Sequence, residues 1–102
     1  MRVFVYHKPS PQTLAGPVKQ AIMEKRGTIP LMEGPVILRM RFIFLRTPTE
    51  KLAVPLDKWS VAGLQRAVMD VLPGLLYHTE KQVAAVHATK EYGNVNGIEL
   101  RV

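Results

Sequence analysis

Arg39 and Arg41 stand two residues apart in an otherwise apolar stretch, so on an extended chain both guanidiniums leave from one face. Cations held at such a spacing suit phosphate oxygens. They belong to a wider excess: fourteen Lys and Arg face eight Asp and Glu, a formal charge of +6. That balance favours a polyanionic partner, because each neutralised phosphate releases counterions. Other chemistries find less support. The absence of cysteine removes a disulfide framework, a thiolate zinc site and a cysteine nucleophile together, and fits a reducing cytosol. His7, His78 and His87 show no metal-ligand spacing. Ser10, Ser60 and the threonines lie in no nucleophile elbow, and Gly93-Asn94-Val95-Asn96-Gly97 reads as a hairpin turn rather than a phosphate loop.

The elements that must position these groups follow from periodicity. With 102 residues, 47% hydrophobic and 22% charged, the chain fits one globular domain spanning 1–102. No apolar run approaches the ~20 residues of a membrane span. The opening Met1-Arg2-Val3-Phe4-Val5-Tyr6 is too soon polar for a signal peptide and predicts a strand over 2–7. Leu14, Val18, Ala21 and Ile22 predict a helix over 13–26, with Pro17 near its first turn and Gly27 after its end. A strand over 36–46 puts Val36, Leu38, Met40, Phe42 and Phe44 on a core face and Ile37, Arg39, Arg41, Ile43 and Leu45 on a mixed one.

Asp57 is placed to cap a second helix over 58–72, whose stripe Val61, Leu64, Val68, Val71, Leu72 and Leu75 packs on the sheet. Pro73-Gly74 closes it. A third strand over 82–91 sets Val83, Ala85 and His87 against Gln82, Ala84 and Val86, and Ile98, Leu100 and Val102 point inward from a fourth. The order β-α-β-α-β-β implies an α+β fold, two helices on one mixed, mostly antiparallel four-stranded sheet.

Leu64-Gln65-Arg66, Asp70-Val71-Leu72, Gly74, Tyr77, Gln82-Val83, Lys90-Glu91-Tyr92-Gly93 and Gly97 follow one another in this order, with Gly34-Pro35-Val36 upstream. In these positions residues 34–102 resemble the RusA-type Holliday junction resolvases. That family carries a helix opening Asp-x-Asp-Asn-Leu-x-Lys, then Asp-Ala-Leu, a Gly-(hydrophobic)-Tyr/Trp-x-Asp-Asp-x-Gln-Val segment, and a strand ending in Lys. The resemblance implies a homodimer that binds DNA, including four-way junctions, through Arg39 and Arg41 on one strand face and through Arg46, Lys58, Arg66, Lys81 and Lys90 in segments flanking its cleft. It also implies cytoplasmic action and a phage or prophage origin.

The departures fall on the catalytic acids. The family's carboxylates hold Mg²⁺, which polarises the scissile phosphate and generates hydroxide. Here Ser60 and Ala62 stand at the two helix acids, Gly63 at the Asn, Arg66 at the Lys, and Thr79-Glu80 at the Asp-Asp pair. The acids left to bind metal or catalyse are Glu80, Asp70 and Asp57; more simply, Asp57 caps and Asp70 pairs with Arg66 at i, i+4. The expected activity is branched-DNA binding with weak or absent cleavage, Mg²⁺ being needed only if cutting survives. The alternatives are an active Mg²⁺-dependent structure-selective nuclease and a phage-encoded protein-interaction module on the same fold.

Overall fold

The computed structural model describes residues 1–55 and 59–102. Four strands and two helices follow the expected order: β1 Arg2–Val5, α1 Ala15–Arg26, β2 Val36–Leu45, α2 Val61–Met69, β3 Val83–Gly93 and β4 Gly97–Arg101. A short 3-10 turn, Glu80–Gln82, leads into β3. The sheet runs β1-β4-β2-β3, with β2 and β3 parallel and the other pairs antiparallel.

Both helices lie on one face of that sheet. Val36, Leu38, Met40, Phe42 and Phe44 are buried, as strand alternation requires, beneath Leu14, Val18 and Ile22 from the α1 side and Leu64 and Val68 from α2. Ile98 and Leu100 of β4 and Val3 and Val5 of β1 complete one continuous core. Among the described residues no helix covers the opposite face. Arg39 and Arg41 lie there, with His87, Thr89 and Glu91 of β3 and Glu99 and Arg101 of β4 beside them in register.

Four details depart from the sequence reading. α2 begins at Val61 with Ser60 as its N-cap, the Ser60 Oγ accepting the Gly63 N–H at 3.1 Å. The cap is thus Ser60, and the residue expected to cap, Asp57, lies with Lys58 outside the described residues. α2 also ends at Met69 rather than 72, because a residue before proline is pushed out of helical conformation and Pro73 has no N–H. The apolar stripe continues past the helix: Leu72, Leu75 and Leu76 stay buried in the turns that follow.

In β3 a register shift opposite Val36 and Ile37 pairs Val83 with Val36 but Ala85 with Ile37. This bulge resets the alternation, so Val83 joins Val86, Ala88 and Tyr92 against the core instead of sharing a face with His87. The segment after β3 is not a hairpin, since β3 and β4 flank β2 on opposite sides. Residues 94–96 cross the end of β2, where Asn96 Oδ1 accepts the Leu45 N–H at 2.9 Å and the Gly93 carbonyl accepts the Arg46 N–H at 3.0 Å. Gly97 admits the Phe4 ring: a Cβ there would stand 2.4 Å from Phe4 Cζ.

Candidate nucleic-acid interface

The N-terminal end of α2 lies over β3. Lys90 pairs with core-facing Phe42, so its side chain projects to the helix side, where Nζ approaches the Trp59 carbonyl at 3.4 Å. The first turn of α2 holds no acid, so its exposed N–H groups and partial positive charge stand beside a lysine. Such an end favours anions.

One turn further, Arg66 gathers both remaining acids described on this side. Its Nη2 meets Glu80 Oε1 at 2.6 Å and its Nε meets Asp70 Oδ1 at 3.1 Å. The hydrogen bond to Glu80 is the main reason the Arg66 guanidinium is held above its ordinary pKa. Close by, Tyr77 is fully buried and its hydroxyl has no hydrogen-bond partner among the described residues. Burial pushes its pKa up, Glu80 adds to that, and Arg66 opposes it.

Gln82 fixes the turn that presents Glu80. Its side-chain oxygen accepts the N–H groups of His78 at 2.8 Å and Thr79 at 3.1 Å, while its amide donates to the Met32 and Gly34 carbonyls at 2.9 and 3.0 Å. Gly74 takes φ +79°, a conformation costly for any residue with a Cβ, and its N–H donates to the Tyr77 carbonyl at 2.6 Å. Gln82, Gly74 and Gly97 are thus structural members of the sequence pattern.

The sequence profile of the family described as Endodeoxyribonuclease RusA matches residues 4–102. The chain belongs to the RusA endodeoxyribonuclease family. No curated protein matches it significantly. Nucleases of the RusA family generally depend on a divalent metal, and the side chains here fit one poorly. Ser60, Ala62 and Gly63 offer no carboxylate, and Ser60 Oγ is spent on the cap. Asp70 and Glu80 are both bonded to Arg66, and no group of three or more His, Asp or Glu able to hold a metal occurs among the described residues.

The basic residues singled out from the RusA resemblance divide between two faces. Arg66 and Lys90 line the helix side. Lys81 is exposed in the turn beside Glu80, and Arg46 leans on the Tyr92 ring at 4.6 Å while donating to the Leu52 carbonyl. Arg39 and Arg41 lie across the sheet, so they do not flank the α2 cleft. Arg41 is moreover tied to Glu91 and Glu99, its pKa raised first by the Glu91 hydrogen bond. Sequence reasoning missed Arg101, His87, Arg2 and Glu99, whose neighbours are set by strand register, and the Tyr77 hydroxyl, whose isolation only packing reveals. Among the described residues, no helix is long and apolar enough to cross a membrane.

Proposed function

We propose that this RusA-family protein binds DNA, with preference for four-way junctions, and cleaves it weakly or not at all. The observation that carries the reading is the arrangement about Arg66: the two acids on that side neutralise an arginine instead of converging on a metal, while Lys90 and the first-turn N–H groups of α2 that Ser60 does not cap stay available to phosphate. Ser60 supports it, because serine caps a helix as aspartate does but brings no charge for Mg²⁺. The protein acts as a homodimer, which matches the two-fold character of a junction, and works in the cytoplasm.

The test is an end-labelled four-way junction incubated with the protein and Mg²⁺, then run on native and denaturing gels. A shifted complex of intact strands is expected. Paired nicks near the branch point would overturn the catalytic half of the reading and assign cutting to Asp57, Asp70 and Glu80. A flat titration at low salt would overturn the DNA-binding half and favour a protein-interaction module. Restoring carboxylates with Ser60→Asp and Ala62→Asp together should yield Mg²⁺-dependent nicking absent from the wild type.

A further inference from the structure

The open face of the sheet carries a row of cations that local sequence spacing does not reveal. Strand register sets His87 of β3 opposite Arg39 of β2, Arg39 opposite Arg101 of β4, and Arg101 opposite Arg2 of β1. Like charges directly opposite on neighbouring strands destabilise a sheet. Here three arginines stand side by side. The next row supplies one buried acid, Glu99, whose Oε2 accepts Arg2 Nη2 at 2.7 Å and Nε at 3.1 Å and whose Oε1 faces Arg41 Nη1 at 3.4 Å. Arg41 is shared further with Glu91. Arg39, Arg101 and His87 are exposed, and none of their side chains has a hydrogen bond or ion pair with another described residue.

These three groups border a recess of about 170 Å³ whose wall also includes Arg41, Thr89 and Glu99. At about 30 Å³ per water that is room for roughly five waters, enough for one tetrahedral oxyanion keeping part of its hydration. Guanidinium forks match phosphate oxygens in two-point contacts, and a threonine hydroxyl and an imidazole N–H add single donors. The Glu99 carboxylate does not oppose this, because Arg2 and Arg41 already occupy its oxygens. We propose that Arg39, Arg101, His87 and Thr89 form a binding site for a phosphate group on the face of the sheet opposite α2. An anion there offsets the like-charge row that the fold otherwise leaves uncompensated.

Two sources can present that group: inorganic phosphate and the phosphodiester backbone of DNA. The site stands apart from the α2 cleft, so a residue-resolved readout separates its failure from failure of the function proposed above. Isotope-labelled protein is titrated with inorganic phosphate and, separately, with a short DNA duplex, while the Arg39 and Arg101 side-chain N–H and His87 ring resonances are followed. Saturable shifts of all three are expected, with affinity at least tenfold weaker in Arg39→Gln/Arg101→Gln. That variant should keep its amide dispersion and melting temperature, since relieving a like-charge pair costs the fold nothing. Shifts with inorganic phosphate alone assign the site to a free phosphate, and shifts with duplex at matched phosphate concentration assign it to the DNA backbone. If neither ligand moves these resonances, or if the variant binds phosphate as tightly as wild type, the proposal is overturned.

Discussion

The two faces of the sheet hold their charges under opposite arrangements. On the helix side Arg66 is paired with two carboxylates and Lys90 with a main-chain carbonyl, all at the margin of a core that fixes their positions. On the open side one buried carboxylate, Glu99, serves two arginines, and two more arginines in the neighbouring row have no acid partner among the described residues. The first face carries the RusA sequence pattern, with Asp70 and Glu80 both bonded to Arg66. The second carries cations brought together only by pairing distant strands. The ion-pair cluster of one face and the cation row of the other thus share no residues.

The largest effect should come from Glu99→Gln, which removes the only acid among the described residues that line the recess of the open face. Its side chain is 3% exposed, and burial alone would raise its pKa, but the Arg2 and Arg41 contacts outweigh burial and hold it below the ordinary 4.5. The variant should lose about 1.5–3 kcal/mol in urea unfolding, the range for hydrogen bonds to charged groups. A carboxyl with a lowered folded-state pKa stabilises the protein fully above its unfolded value and loses that contribution as pH falls through the folded one. Wild type should therefore destabilise below about pH 4.5 more steeply than Glu99→Gln. Parallel acid-melting curves would show instead that the open face does not depend on this carboxylate.

Ser60→Ala should cost about 1 kcal/mol through loss of the cap, whereas Ser60→Asp should leave thermal stability nearly unchanged. An equal loss in both would break the reading of Ser60 as the helix cap. Lys90→Gln should barely alter stability, since its ammonium reaches the Trp59 carbonyl at a long 3.4 Å, but should lower the salt-dependence slope of DNA binding by about 0.9. An unchanged slope would move the DNA contact away from the α2 cleft. Smallest of all, Tyr77→Phe should leave stability unchanged or slightly raised, because it deletes a buried hydroxyl with no partner among the described residues. A clear loss of stability would reveal a partner for that hydroxyl.

What was legible in the sequence was whatever a local period controls. The alternation of 36–46 and the four-residue steps of Leu14, Val18 and Ile22 specify faces, and those faces are buried as expected. The pairing of Arg66 with Asp70 was equally readable, being a contact within one helix. Legibility ended where a single residue shifts phase or where partners are far apart in the chain. One bulge at the start of β3 reverses the assignment of Val83, and a crossing at 94–96 that looks like a hairpin instead splits β3 from β4. The cluster of Arg39 with Arg101 depends on that crossing, so no reading of residues 36–46 alone could contain it. Glu80 was recognised by position, but its bond to Arg66 needed the turn built by Gln82.

The placement of β4 also sets the order of events during folding. It follows every other element in sequence yet lies inside the sheet, between β1 and β2, and its end meets the start of the chain where the Val102 N–H donates to the Met1 carbonyl. Until it arrives β1 has no partner strand, and one edge of β2 stays open. Closure between such distant segments is slow, because loop entropy is lost before the pairing is made. A growing chain would wait with an apolar strand edge unprotected, the condition under which unpaired edges invite a second chain.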